Sequence, residues 1–129
     1  MSMNSTDSKT ILVVDDEVVT TELAKAFLER HGFNVVVAHD GEDAIDLALT
    51  EKPDLILLDV ILPKIDGFEV CKTLKSNDSM QGIPILLFTA KGLSKDIAKG
   101  EEVGADEYII KPFSGKALVA TIKKHLNMT

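Results

Sequence analysis

Five short runs of consecutive apolar residues recur along the chain, at 11–14 (Ile-Leu-Val-Val), 35–38 (Val-Val-Val-Ala), 55–58 (Leu-Ile-Leu-Leu), 85–88 (Ile-Leu-Leu-Phe) and 108–110 (Tyr-Ile-Ile). None alternates apolar with polar, as a half-exposed antiparallel strand does. Unbroken apolar strands belong to parallel sheets covered on both faces. A longer segment with helical spacing follows each run. The first places Val19, Leu23, Ala26, Phe27 and Arg30 on one stripe, whose four apolar members are expected to face the sheet. The second carries Ala44, Ile45, Leu47, Ala48 and Leu49, the third Phe68, Cys71 and Leu74, and the last Leu118, Ile122 and Leu126. The fourth, roughly 94–103, is the weakest, with few apolar residues and Gly100 inside it.

The punctuation agrees with this division. Gly32 follows the first helix, Pro53 closes the second, Pro84 precedes the fourth strand, and Ser94 and Ser114 are placed to cap helices. The pattern is βα repeated five times. Right-handed crossovers turn that order into an α/β doubly wound five-stranded parallel sheet, flavodoxin-like, with expected strand order 2-1-3-4-5. The expected division is a polar N-terminal tail at 1–9 and one domain at 10–127.

Composition narrows the function. The 129 residues carry a formal charge of −7, which argues against a general attraction to nucleic-acid backbones or anionic lipid. No apolar run approaches the ~18–20 residues that span a bilayer, and the polar start lacks the apolar core of a signal peptide. No direct nucleic-acid partner and no membrane insertion are expected. Cys71 is the single cysteine, so an internal disulfide and a multi-cysteine zinc site are excluded, and a reducing cytoplasm is the expected compartment.

In open α/β sheets ligands bind beyond the carboxyl ends of the strands. Asp15, Asp16 and Glu17 follow the first run, Asp59 the third, Thr89 the fourth, and Lys111-Pro112 the fifth. Acids crowded on one rim repel, by ~4 kcal/mol for a pair ~4 Å apart at an effective dielectric of 20. They therefore take up protons or recruit a hard cation. Oxygen-only donors favour Mg²⁺, with Lys111 and Thr89 as partners for an anion and Asp59 as a possible nucleophile.

These residues resemble the receiver domain of two-component response regulators, of the stand-alone, single-domain type. The resemblance rests on Val-Val-Asp-Asp-Glu at 13–17, Leu-Leu-Asp-Val-Ile-Leu-Pro at 57–63, Asp66-Gly67, Phe-Thr-Ala at 88–90 and Gly-Ala-Asp-Glu-Tyr-Ile-Ile-Lys-Pro-Phe at 104–113. It implies a signalling switch that accepts a phosphoryl group on Asp59 from a sensor histidine kinase or a histidine phosphotransfer protein. Mg²⁺ would be held by Asp15, Asp16, Asp59 and the backbone carbonyl of Ile61, and Lys111 would contact the phosphoryl group. Thr89 and Tyr108 would be the switch pair, and Lys111-Pro112 a cis peptide bond. The domain would not be a conventional enzyme: it catalyses its own phosphorylation and slowly hydrolyses the product. The family's methionine-rich stretch after the acceptor reads Ile61-Leu62 here. A phosphate carrier or sink in a phosphorelay, or a receiver cut from a longer regulator, are the alternative readings.

Plainer roles stand beside these. Asp-Asp before a helix is commonly a cap with a first-turn acid, and a tyrosine on an edge strand commonly packs half-buried. Cys71 sits on its helix's apolar stripe as core filler, and His31, His39 and His125 show no pairing pattern. A phosphatase with an aspartyl nucleophile needs a substrate pocket and usually a cap domain, for which five βα units leave no residues. A flavodoxin needs a phosphate-cradling loop where this chain has three acids. Residues 91–129 carry seven basic and five acidic side chains, against seven and sixteen before them. Lysines of the latter part lie around the fourth and fifth helices, and the resemblance implies a downstream protein target on the face of the fourth helix, fifth strand and fifth helix, with a merely solvated face as the plainer reading.

Overall fold

The computed structural model describes residues 9–89, 94–110 and 114–128, with residue 89 and residues 94–96 described by their backbone alone. Five strands and five helices alternate: β1 (Thr10–Val14), α1 (Val18–Arg30), β2 (Asn34–Ala38), α2 (Gly41–Glu51), β3 (Leu55–Asp59), α3 (Gly67–Lys75), β4 (Ile85–Thr89), α4 (Ser94–Glu102), β5 (Glu107–Ile110) and α5 (Gly115–His125). A 3₁₀ turn (Asp78–Met80), with Met80 buried, lies between α3 and β4. All strand pairs are parallel, in order β2-β1-β3-β4-β5.

The period-two geometry of a strand explains why the central runs are apolar at every position. Leu12, Val14, Ile56, Leu58, Ile85 and Leu87 face one layer, where Ala44, Ala48, Phe68, Cys71 and Leu74 of α2 and α3 meet them. Ile11, Val13, Leu55, Leu57, Leu86 and Phe88 face the other, against Leu28, Leu118, Val119 and Ile122 of α1 and α5. The edge strands β2 and β5 are only half-buried.

Helix starts follow the cap chemistry. Asp40 accepts the Asp43 N–H at 2.8 Å, Asp66 the Glu69 N–H at 3.0 Å and Ser114 the Ala117 N–H at 3.0 Å. Ser94 is the first helical residue of α4 rather than its cap.

The expected α1 stripe is overturned. Val19 and Leu23 are 71% and 68% exposed and Ala26 is also exposed, while Thr21 and Leu28 are buried and Ala24 and Phe27 are half-buried. A hydroxyl at the centre of the true stripe hid it. Thr21 Oγ1 donates to the Val18 carbonyl at 3.0 Å and lies 3.0 Å from His39 Nε2, so a polar residue is satisfied inside the core.

The β4–β5 side of the sheet's amino edge is held by one carboxylate. Asp106 Oδ2 accepts from Ile85 N–H at 2.8 Å and from Lys75 Nζ at 2.7 Å, and Lys75 Nζ also donates to the Ile83 carbonyl. One acid thereby joins α3, β4 and the start of β5 at the edge opposite Asp59.

Candidate functional site

β1 and β3 are neighbours in the sheet, so their carboxyl ends open side by side. Asp59 is the last residue of β3, and Asp15 and Asp16 are the first two after β1. One carboxylate oxygen from each of Asp15, Asp16 and Asp59 lies within 4.8 Å of the others. Asp15 and Asp59 are buried, while Asp16 is exposed.

Local backbone fixes the two buried acids. Asp15 Oδ1 accepts the Glu17 N–H at 2.9 Å, and the Asp15 N–H donates to the Ala38 carbonyl, which ties the loop to β2. Asp59 Oδ1 accepts the Ile61 N–H at 3.0 Å. Both carboxylates are thus aimed by an N–H two residues on. Oxygen donors alone, two of them buried beside like charge, suit a hard divalent cation.

The loop bearing Asp59 is clamped between two helix starts. A Cβ on Gly67 would lie 2.6 Å from Val60 Cα and closer still to the Asp59 carbonyl oxygen, and the Gly67 N–H donates to the Val60 carbonyl at 2.9 Å. A Cβ on Gly41 would lie 2.8 Å from Ile65 Cβ and closer still to the Ile65 carbonyl oxygen. Any larger residue at either position displaces the loop that runs from Asp59 to Ile65. Sequence reading passed over Gly41. Its signal is the Asp-Gly pair at 40–41, matched by Asp66-Gly67, each placing a capping acid and a side-chain-free first residue at a helix start.

Apolar side chains rim the acids: Val18 and Val19 beyond Glu17, and Ile61, which is 57% exposed. Thr89 ends β4 beside β3 and pairs in register with Ile110 of β5, which puts its backbone on the same rim. Its side chain lies outside the described residues, as do Lys111 and the Lys111-Pro112 bond. Tyr108, in register with Leu87, is half-buried on β5, where it packs against the α3 side of the core. Lys124 Nζ and His125 Nε2 both reach Glu107 Oε1, at 3.3 and 2.7 Å. The His125 hydrogen bond, above all, holds the Glu107 carboxyl below the ordinary glutamate range.

Cys71 is no part of the site. It is fully buried and its thiol, facing the Val103 carbonyl, is pushed up to about 11 by burial. No helix among the described residues is long and apolar enough to cross a membrane.

Comparison with known proteins places this geometry. The sequence profile of the response regulator receiver domain matches residues 11–123. The chain is 52% identical over 116 residues to the alkaline phosphatase synthesis transcriptional regulatory protein PhoP of Bacillus subtilis (strain 168), covering 90% of this chain and 48% of that protein. It therefore spans about half the length of that relative. Among solved structures, the BeF3-activated N-terminal receiver domain of Klebsiella pneumoniae RstA superposes with a TM-score of 0.86 at 35% identity, over 93% of this chain and 100% of that one. The chemotaxis response regulator CheY4 of Vibrio cholerae gives 0.85 at 29% identity, over 91% of this chain and 98% of that one.

Proposed function

This chain belongs to the response regulator receiver domain family, and we propose that residues 10–127 act as a signalling switch phosphorylated on Asp59. The observation that carries the proposal is the convergence of the Asp15, Asp16 and Asp59 carboxylate oxygens within 4.8 Å at the ends of adjacent strands. In the reaction, an Asp59 carboxylate oxygen forms a bond to phosphorus as the phosphorus–nitrogen bond of a phosphohistidine breaks. The electron pair of that bond stays on the imidazole nitrogen, which is then protonated. Mg²⁺, when bound by Asp15, Asp16, Asp59 and the Ile61 carbonyl, supplies charge neutralisation between the carboxylates and the incoming phosphoryl oxygens.

The rest is done by the chain's own groups. Ile61 N–H, donating to Oδ1, fixes the rotamer of Asp59 at the end of β3. Gly67 and Gly41 hold the loop that sets this alignment. Lys111 balances the transferred charge, and Thr89 donates its hydroxyl to the phosphoryl group afterwards.

The exposed Val18, Val19 and Ile61 around the acids support a protein as phosphodonor, a sensor histidine kinase or histidine phosphotransfer protein, since a small phosphodonor has no use for an apolar rim. The downstream partner is a protein met by the α4, β5 and α5 face, where Lys116, Lys123 and Lys124 of α5 lie. A cytoplasmic setting accords with a reduced, buried Cys71.

The test is incubation with Mg²⁺ and acetyl phosphate. One phosphoryl group per chain, released by hydroxylamine and absent from Asp59→Asn, is the expected result. Equal labelling of the variant would remove Asp59 from the role.

A further inference from the structure

Gly100 is an interior helix residue with no conformational need to be glycine. Its φ is not in the left-handed region, unlike those of Gly32, Gly82 and Gly104, and glycine weakens a helix at such a position. What stands where its side chain would be is the Tyr108 ring. A Cβ on Gly100 would lie 2.9 Å from Tyr108 Cδ2, 3.4 Å from Tyr108 Cε2 and 3.3 Å from Leu87 Cδ1. The ring is therefore laid on bare helix backbone, between α4 and the neighbouring strand. Beside it the surface opens into a cavity of about 350 Å³ lined by Ile97, Gly100, Glu101, Ala105, Glu107 and Tyr108, among others. A half-buried ring on an edge strand has two places to go: onto residue 100, or out into that space.

We propose that Gly100 is the positioning residue of the Tyr108 switch: the missing side chain keeps open the inward seat of the ring, and residue 100 sets how far that seat is populated. The inference rests on the switch reading above and names the residue that governs its output. Replacing Gly100 by alanine unseats the ring, because the obstructing atom is the movable edge of a side chain with open space beside it. The α4–β5 face then loses its dependence on the state of Asp59.

Tyr108 is the only tyrosine and the chain has no tryptophan, so its fluorescence reports the ring directly. The experiment compares the full chain with Gly100→Ala, Tyr108→Ala and the double variant, with and without beryllofluoride and Mg²⁺. Acrylamide quenching of Tyr108 should rise in Gly100→Ala toward that of the denatured chain. Labelling by acetyl phosphate should match wild type, since residue 100 does not touch the acids. The beryllofluoride-induced change in hydrogen exchange over α4 and β5 should be lost. Gly100→Ala should leave the melting temperature unchanged or lowered in the wild-type background, yet raise it in the Tyr108→Ala background, where nothing occupies the seat. Unchanged quenching with additive melting shifts would overturn the seat. An unseated ring with an intact beryllofluoride response would overturn its place in the switch. A wild-type chain that takes no label and shows no response would instead sink the switch reading, while the quenching and melting comparison still reports on the seat.

Discussion

Replacing Asp15 by asparagine should make the metal-free protein more stable while weakening its response to Mg²⁺. Asp15 and Asp59 are buried with carboxylate oxygens no more than 4.8 Å apart, which at an effective dielectric of about 20 corresponds to a repulsion of about 3.5 kcal/mol. Asp16 is exposed, so its repulsion with either partner is screened toward about 1 kcal/mol. Asparagine removes both repulsions on residue 15 and still offers an amide oxygen to the Glu17 N–H. That hydrogen bond becomes neutral rather than charge-assisted, a loss of about 1 kcal/mol. The net gain is therefore at most about 3.5 kcal/mol, less the part that the other partners of Asp15 and Asp59 already offset. For a chain of this size about 2 kcal/mol corresponds to a melting temperature higher by roughly 8 °C.

On the proposed reading, Mg²⁺ would work through the same charges in the opposite direction. At a concentration a hundred times its dissociation constant, a ligand that binds only the native state adds about 2.7 kcal/mol. In Asp15→Asn that shift should fall to less than half at the same Mg²⁺ concentration. Calorimetry or circular dichroism in EDTA and across a Mg²⁺ titration reads both numbers. A variant that melts at or below the wild-type temperature in EDTA, and keeps the full Mg²⁺ shift, would refute the account of the three acids as a mutually repelling cation site.

Three further outcomes follow from single contacts. Gly67→Ala forces a Cβ into the Asp59 carbonyl and Val60 backbone, so urea denaturation should show a loss of about 3 kcal/mol or more, with slower labelling by acetyl phosphate in the folded fraction. Asp106→Ala leaves the Ile85 N–H and the Lys75 ammonium without their shared acceptor and should cost about 1–3 kcal/mol, yet labelling of Asp59 at the far edge of the sheet should keep its rate. Glu107 has its carboxyl lowered by His125 and Lys124, so its contribution is present above the unfolded value near pH ~4.3 and disappears as pH falls through the lower folded value. Glu107→Gln should accordingly flatten the decline of stability below about pH 5, and an acid limb identical to wild type would count against that pairing.

The strands were legible because their physics is one-dimensional: a strand covered on both faces must be apolar at every position, and Leu55, Ile56, Leu57 and Leu58 say so without a partner in view. The acids at the strand ends were legible for a related reason, since parallel topology carries residues far apart in sequence to one rim. α1 was not legible. Its buried stripe contains Thr21, whose hydroxyl is satisfied inside the core by the Val18 carbonyl of its own turn and by His39 at the end of β2, whereas Val19 and Leu23 mimic a core stripe and face outward. Gly41, Gly67 and Gly100 were opaque for the same kind of reason. An Asp-Gly pair reads locally as a turn, and Gly100 reads as a weak helix. Only the Ile65 and Asp59 carbonyls and the Tyr108 ring show that each glycine stands where no side chain fits.

The two edges of the sheet are built on opposite electrostatic plans, and that difference determines where movement is possible. At the amino edge the Asp106 carboxylate faces an ammonium and an N–H, so charge is matched and α3, β4 and β5 are joined. At the carboxyl edge carboxylate faces carboxylate, and adding a phosphoryl group there changes the local charge more than any hydrogen bond can absorb unaided. A response pinned at the amino edge must take place toward the carboxyl edge, in what lies between β4 and β5. That element is α4, which has the lowest apolar content of the five helices and rests on Tyr108 through a residue without a side chain. In the proposed switch, one charge-assisted hydrogen bond from Thr89, worth about 1.5–3 kcal/mol, would shift a two-state equilibrium by one to two orders of magnitude. That is too little to disturb the layers packed around β1 and β3, and enough to move a ring whose seat is bare backbone.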